Sequence, residues 1–151
     1  MFYFTLITLH LLAAVVWIGG MLFLGLVLTP VLRYRPPDER ASLLSAVGRR
    51  FLKIGWAALG ALLATGPALW ALRGFELTTV LVVKLGLVAI ILILSLIHDV
   101  FLGPRLVAHI GRADQGQETV RLWRRVALLA RLNLLCALVV LILGLAVSRG
   151  F

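Results

Sequence analysis

The run HLLAAVVWIGGMLFLGLVLTP, residues 10–30, carries no formal charge and one ionisable side chain, His10, at its head. With its flanks it extends over roughly 2–32, more than the roughly 20 residues that carry a helix across about 30 Å of hydrocarbon. Three further runs of this kind follow, at roughly 54–72, 77–102 and 126–148. The 151 residues are 62% hydrophobic, with mean hydropathy +1.10, well above a soluble domain. Membrane β-strands are shorter and alternate polar with apolar. The expectation is therefore an all-α, four-transmembrane-helix bundle forming a single integral membrane domain over 1–151. A cleavable signal peptide would need a basic start and a shorter apolar core, whereas Met1–Thr29 holds neither Lys nor Arg. Cys136 is the only cysteine, which rules out an intrachain disulfide.

The net charge of +9 is distributed as topology determinants and lipid-phosphate contacts rather than as a nucleic-acid surface. Arg33, Arg35, Arg40, Arg49, Arg50 and Lys53 separate the first two spans; Arg105, Arg112, Arg121, Arg124, Arg125 and Arg131 lie between or beside the last two. The second connection has only Arg73 and the C-terminus only Arg149. This asymmetry places connections 33–53 and 103–125 in the cytoplasm and both termini on the extracytoplasmic side of the cell's inner (plasma) membrane. Pro36-Pro37 before Asp38 and Glu39 suits a helix start. Leu43, Leu44, Val47 and Phe51 recur at helical spacing, so an amphipathic helix should lead into span two. Gly103-Pro104 is expected to end the third span, helix should resume after Gly116, and Trp123 should anchor an interface. No internal repeat and no second domain are evident.

Topology sets depth. His10 and Lys84 each lie about 10 Å inside the outer face, and Thr65-Gly66-Pro67 of span two and Leu141–Gly144 of span four reach the same level. Facing follows from 100° per residue: His10, Trp17 and Met21 form one stripe, and Lys84, Ile91 and His98 another. An ionisable group in hydrocarbon is costly unless it faces the bundle interior, snorkels or finds a partner. Lys84 could snorkel, and His10 could simply hydrogen-bond Thr65 or a carbonyl freed beside Pro67; a ligand shared by the two explains their common depth. His98 and Asp99 lie about 21 Å further along span three. Asp99 is expected to pair with Arg105, Arg125 or Arg131, and His109 to be a solvated loop residue. Asn133 faces either a neighbouring helix or a functional cavity.

Four stretches carry a family likeness: HLLAAVVWIGGMLFLGLVLTPVLR, RRFLKIGWAALGALLATG, KLGLVAIILIL and RLNLLCALVVLILGLAVS. Over nearly its whole length the chain resembles the CopD copper-resistance membrane domain and the related HemJ-type protoporphyrinogen oxidase. VWIGG and GPRL are nearer to CopD. In HemJ-type relatives a first-helix His binding b-type haem and a third-helix Lys are essential; the resemblance puts these at His10 and Lys84.

Ligand chemistry separates two readings. Copper(I) prefers thiolate and thioether ligands, yet Met21 is about 16 Å deeper than His10, so a copper transport or homeostasis role would need an oligomer to gather several His10 copies. Haem b suits the residues better: His10 as axial ligand, Lys84 against a propionate, Gly66 and Gly144 leaving room for a flat ring, and Trp17 packing nearby. No second His shares the depth as a sixth ligand. A scaffold role, with His10 and Lys84 only packing helices, is the third alternative. Electron transfer or porphyrin redox chemistry would bring a redox partner as well as the lipid bilayer; whether the chain is an enzyme stays open.

Overall fold

The computed structural model describes residues 1–112 and 116–149; the middle of the third connection and the last two residues of the expected domain lie outside the described residues. Four helices account for nearly all of it: α1 Phe2–Leu32, α2 Pro37–Ala71, α3 Thr79–Ile110 and α4 Gln117–Ser148. All four are long and apolar enough to cross a membrane. Few side chains are buried, while large apolar ones such as Val15, Leu26, Ile93 and Ile142 are more than half exposed. An apolar exterior around a small core is what lipid as solvent permits, since lipid tails solvate Val and Leu as well as a protein interior does. The chain is a multi-pass membrane protein.

Local chemistry explains the helix limits. Pro37 with Asp38 and Glu39 opens α2, and the amphipathic segment expected over 38–51 is its first part, continuous with the span. Thr78 caps α3 by accepting from Leu81 N–H at 3.2 Å. Between α2 and α3 the chain turns through positive φ at Gly74 (74°) and Phe75 (60°). The Phe75 conformation is rare for an aromatic residue. It is held by an edge contact with Trp70 (centroids 5.2 Å apart) and by Trp70 Nε1–H donating to Glu76 O at 3.0 Å. Arg73 gives its guanidinium to the terminal carbonyls of α4, Val147 O and Ser148 O, which otherwise lack helical partners.

One expectation is corrected: Gly103-Pro104 does not end a helix, and neither does Pro30. Each proline follows a π-helical stretch, Phe23–Leu28 in α1 and Ile97–Leu102 in α3. Proline removes an N–H and crowds the carbonyl one turn back, and a widened π turn gives that ring room. Thr29 supplies both its N–H and its hydroxyl (2.7 Å) to Leu24 O. At the matching place Gly103 N–H meets His98 O, where a Cβ on Gly103 would come within 3.1 Å of that oxygen. As a result α3 runs on to Ile110. There Leu106 and Ile110 pack with Ala41 of α2 in a second cluster, joined by Leu122, Trp123 and Val126 of α4. Trp123 is thus half-buried against protein. His109 is likewise helical and half-buried, its Nδ1 2.8 Å from Arg105 O.

α1 packs on α2, α3 on α4, and the two hairpins meet along α1–α4 and α2–α3. The interior is layered, with each helix contributing one residue per layer. The middle layer is Trp17, Leu59, Ile91 and Ala137, all buried. One turn toward the basic end lie Met21, Gly55, Ser95 and Asn133; two turns the other way lie His10, Gly66, Lys84 and Gly144. Shifting the numbering by 74 carries His10, Trp17, Met21, Phe23–Leu28, Pro30 and buried Leu32 onto Lys84, Ile91, Ser95, Ile97–Leu102, Pro104 and buried Leu106. A shift of 78 carries Gly55, Leu59 and Gly66 of α2 onto Asn133, Ala137 and Gly144 of α4. The two hairpins therefore carry matching features in the same order, with helices running in the same senses. The match is hidden in the sequence because its positions hold unlike residues.

Close packing across the first hairpin depends on one glycine of the VWIGG stretch. A Cβ on Gly20 would overlap the Phe51 ring, whereas one on Gly19 meets nothing within 4 Å. Gly20→Ala is expected to destabilise the protein by about 1–3 kcal/mol through overpacking, while Gly19→Ala is neutral or slightly stabilising. Denaturation midpoints in one detergent check this, and equal midpoints would refute it.

Candidate functional site

The layer away from the basic end contains the two ionisable groups that the sequence places at one level. His10, on the inward stripe of α1, is half-buried, and its Nδ1 lies 2.7 Å from Thr65 Oγ1 of α2. Thr65 is buried, and its hydroxyl is 2.6 Å from Ala61 O. A carbonyl can only accept, so the hydroxyl proton goes to Ala61. The Thr65 oxygen then accepts from His10 Nδ1–H. That chain of donors assigns the tautomer: Nε2 is left with its lone pair free. An imidazole whose far nitrogen is tied to an acceptor in this way is oriented as metal-ligating histidines are.

Lys84 occupies the position in α3 equivalent to His10 and is half-buried. It lies in electrostatic reach of both His10 and Arg73. Among the described residues its ammonium has no hydrogen-bond acceptor and no ion-pair partner. Arg73, which composition marks only as an isolated loop charge, therefore adds a second cation at this end of the bundle. No local sequence signal could identify that role, because it depends on α4 ending beside the α2–α3 turn.

Gly66 and Gly144 each border one of the two ionisable side chains. A Cβ on Gly66 would stand 3.6 Å from His10 Cε1, and one on Gly144 3.3 Å from Lys84 Nζ. Trp17, two turns from His10 on the same stripe of α1, is buried in the middle layer and borders a small cleft on the side away from His10. Met21 and Cys136 pack around the core rather than joining His10. No group of three His, Cys, Asp or Glu side chains is arranged for a metal among the described residues.

Further polar residues gather at the layer toward the basic end. Asn133 Nδ2 donates to Ser95 Oγ at 3.0 Å and approaches Met21 Sδ at 3.7 Å. Asp99 pairs with none of the three arginines expected for it. One of its oxygens accepts from Trp56 Nε1–H at 3.0 Å and the other lies 2.8 Å from His98 Nδ1. Both residues lie in the π stretch Ile97–Leu102, where the side-chain spacing differs from the α-helical one used to expect the arginines.

The family described as "Domain of unknown function (DUF4149)" matches residues 12–113. An uncharacterized protein of Aquifex aeolicus (strain VF5) is 31% identical over 144 residues, covering 95% of this chain and 93% of the other. The chain belongs to the DUF4149 family. The DUF4149 match spans α1 to α3 from just after His10 and includes Lys84. No solved structure matches the chain. Neither the family match nor this relative names the CopD or HemJ-type families.

Proposed function

We propose that this DUF4149 protein binds b-type haem through His10 Nε2, with Lys84 neutralising a propionate, in electron transfer or porphyrin redox chemistry. One observation carries the reading: the Ala61–Thr65–His10 hydrogen-bond chain leaves Nε2 as a free Lewis base in the same layer as an ammonium with no acceptor. A neutral imidazole and a nearby cation fit an iron porphyrin, which needs an axial nitrogen and partners for its carboxylates. When bound, the haem would supply a one-electron couple. The chain's own residues orient the imidazole, hold the anionic edge and, through the Trp17 layer, separate this end of the bundle from the other. The resemblance to HemJ-type proteins supports the same pair. The soft donors a copper conduit would use lie in the core, away from His10, and no observation favours that alternative.

The same proposal sets the protein in the inner (plasma) membrane as one integral domain over 1–151, with both termini extracytoplasmic and the two basic ends of the helices cytoplasmic. A redox partner would then reach the haem from the outer side.

Detergent-solubilised protein from haem-replete membranes should show a Soret band. His10→Ala should abolish it, and Lys84→Ala should retain it with affinity reduced about tenfold, the worth of one charge-assisted contact. Colourless unmodified protein would refute the proposal, and stoichiometric copper in its place would favour the copper reading.

A further inference from the structure

Haem b carries two propionates on one edge of its ring, and Lys84 can neutralise only one of them. A carboxylate without a partner at membrane depth is costly. The end of the bundle that holds His10 contains a second cation, Arg73, whose placement only the tertiary structure reveals.

Lys84 and Arg73 meet the same helix. Lys84 Nζ lies against Gly144, where a Cβ would stand 3.3 Å from it. Arg73 reaches from the α2–α3 turn to α4 and donates from Nη1 to Val147 O and from Nη2 to Ser148 O, the latter at 3.1 Å. Val147 and Ser148 follow Gly144 on the same face of α4, about 5 Å further along its axis. The two cations therefore stand in one row, roughly a turn apart, and in electrostatic reach of each other.

Nothing on the page neutralises this row. The carbonyls that hold Arg73 carry only partial charges. Beyond those two bonds the guanidinium keeps further N–H donors. Glu76, the acid of the α2–α3 connection, forms no ion pair with either cation among the described residues. Like charges at this spacing repel unless an anion accompanies them. Arg73 is also tethered at both ends, by its backbone and by α4, so a ligand meets little ordering cost in its side chain. Lys84 is half-buried and Arg73 exposed at the helix end. One group is thus reached from within the bundle and the other from the connection, which suits two carboxylates on one ligand better than a single small ion.

We propose that Arg73 is the second propionate partner, so that Lys84 and Arg73 together select porphyrins with free carboxylates. This selectivity rests on haem binding at His10 as proposed above. Arg73 adds the discrimination between an acid edge and an esterified one.

Haem-free protein in detergent, titrated with haemin and with haemin dimethyl ester, reads the site through the His10-dependent Soret band, with each ligand's partition into protein-free micelles subtracted. The unmodified protein should prefer the free acid about 100-fold, about tenfold for each charge-assisted contact. Arg73→Gln should lower that preference to about tenfold, and Arg73→Lys should return most of it. The ester, with no carboxylate to place, should bind all three proteins alike. A preference that stops at about tenfold in the unmodified protein, the worth of Lys84 alone, would overturn the clamp whether or not the variants fold. So would the full preference persisting in Arg73→Gln. Absence of the band with both ligands is a different result: it would refute haem binding at His10, and the clamp with it.

Discussion

Trp17→Ala is expected to cost about 2–4 kcal/mol of stability, the largest loss from any single truncation in the bundle. Burying a large ring in water-soluble cores is worth about 3–5 kcal/mol by truncation. Here the unfolded helices remain in lipid, so part of the transfer term disappears and the cavity and lost packing contacts dominate. Trp17 is the bulkiest member of the middle layer, with Leu59, Ile91 and Ala137 around it. Its counterpart, Ile91, cannot expand to fill the void. The comparison is Leu96→Ala on a lipid-exposed face (48% exposed), where removal opens no internal void and the change should stay below about 0.5 kcal/mol. Reversible denaturation in mixed micelles measures both. If the two variants unfold together, the middle layer is not the structural centre of the protein.

Thr65→Val should lower haem affinity by about 10–100-fold, the usual effect of removing an outer partner of a ligating histidine. Valine keeps the shape of threonine but cannot accept from His10 Nδ1–H, so the imidazole loses both its orientation and its preferred tautomer. Thr65→Ser keeps the oxygen and should restore most of the affinity. Ring-nitrogen NMR of the haem-free protein gives an independent readout: Nε2 of His10 is unprotonated in the unmodified chain and in Thr65→Ser, and the tautomers mix in Thr65→Val. Identical spectra for the serine and valine proteins would show that Thr65 packs against His10 without directing it.

Much of the architecture was legible because its physical causes are local. The apolar runs, the α2 start at Pro37-Asp38-Glu39 and the restart of α4 at Gln117 follow from hydropathy and capping. Gly103-Pro104 misled because proline's effect on a helix depends on the turn before it, and a π turn relieves the clash that would otherwise break the rod. Asp99 lies in that π stretch, where the side-chain spacing is not α-helical, and its partners are Trp56 and His98. The Thr65 partner of His10 was legible as one of several choices, since depth and facing brought both to one level. What could not be read was the hydroxyl's second bond to Ala61, which leaves Nε2 as the free nitrogen.

By itself the sequence determined how many helices there are, which polar residues share a level along them and which stripe each occupies. Rise and twist per residue are constants of the α-helix, so counting along the chain suffices for these. Only the tertiary structure decided which residues meet: His10 with Thr65, Lys84 against Gly144, Asn133 with Ser95. In lipid the outward faces need only be apolar, so hydropathy says little about how each helix is rotated and paired with its neighbours. Small residues and close packing settle that, and they gave two dissimilar hairpins matching features in the same order.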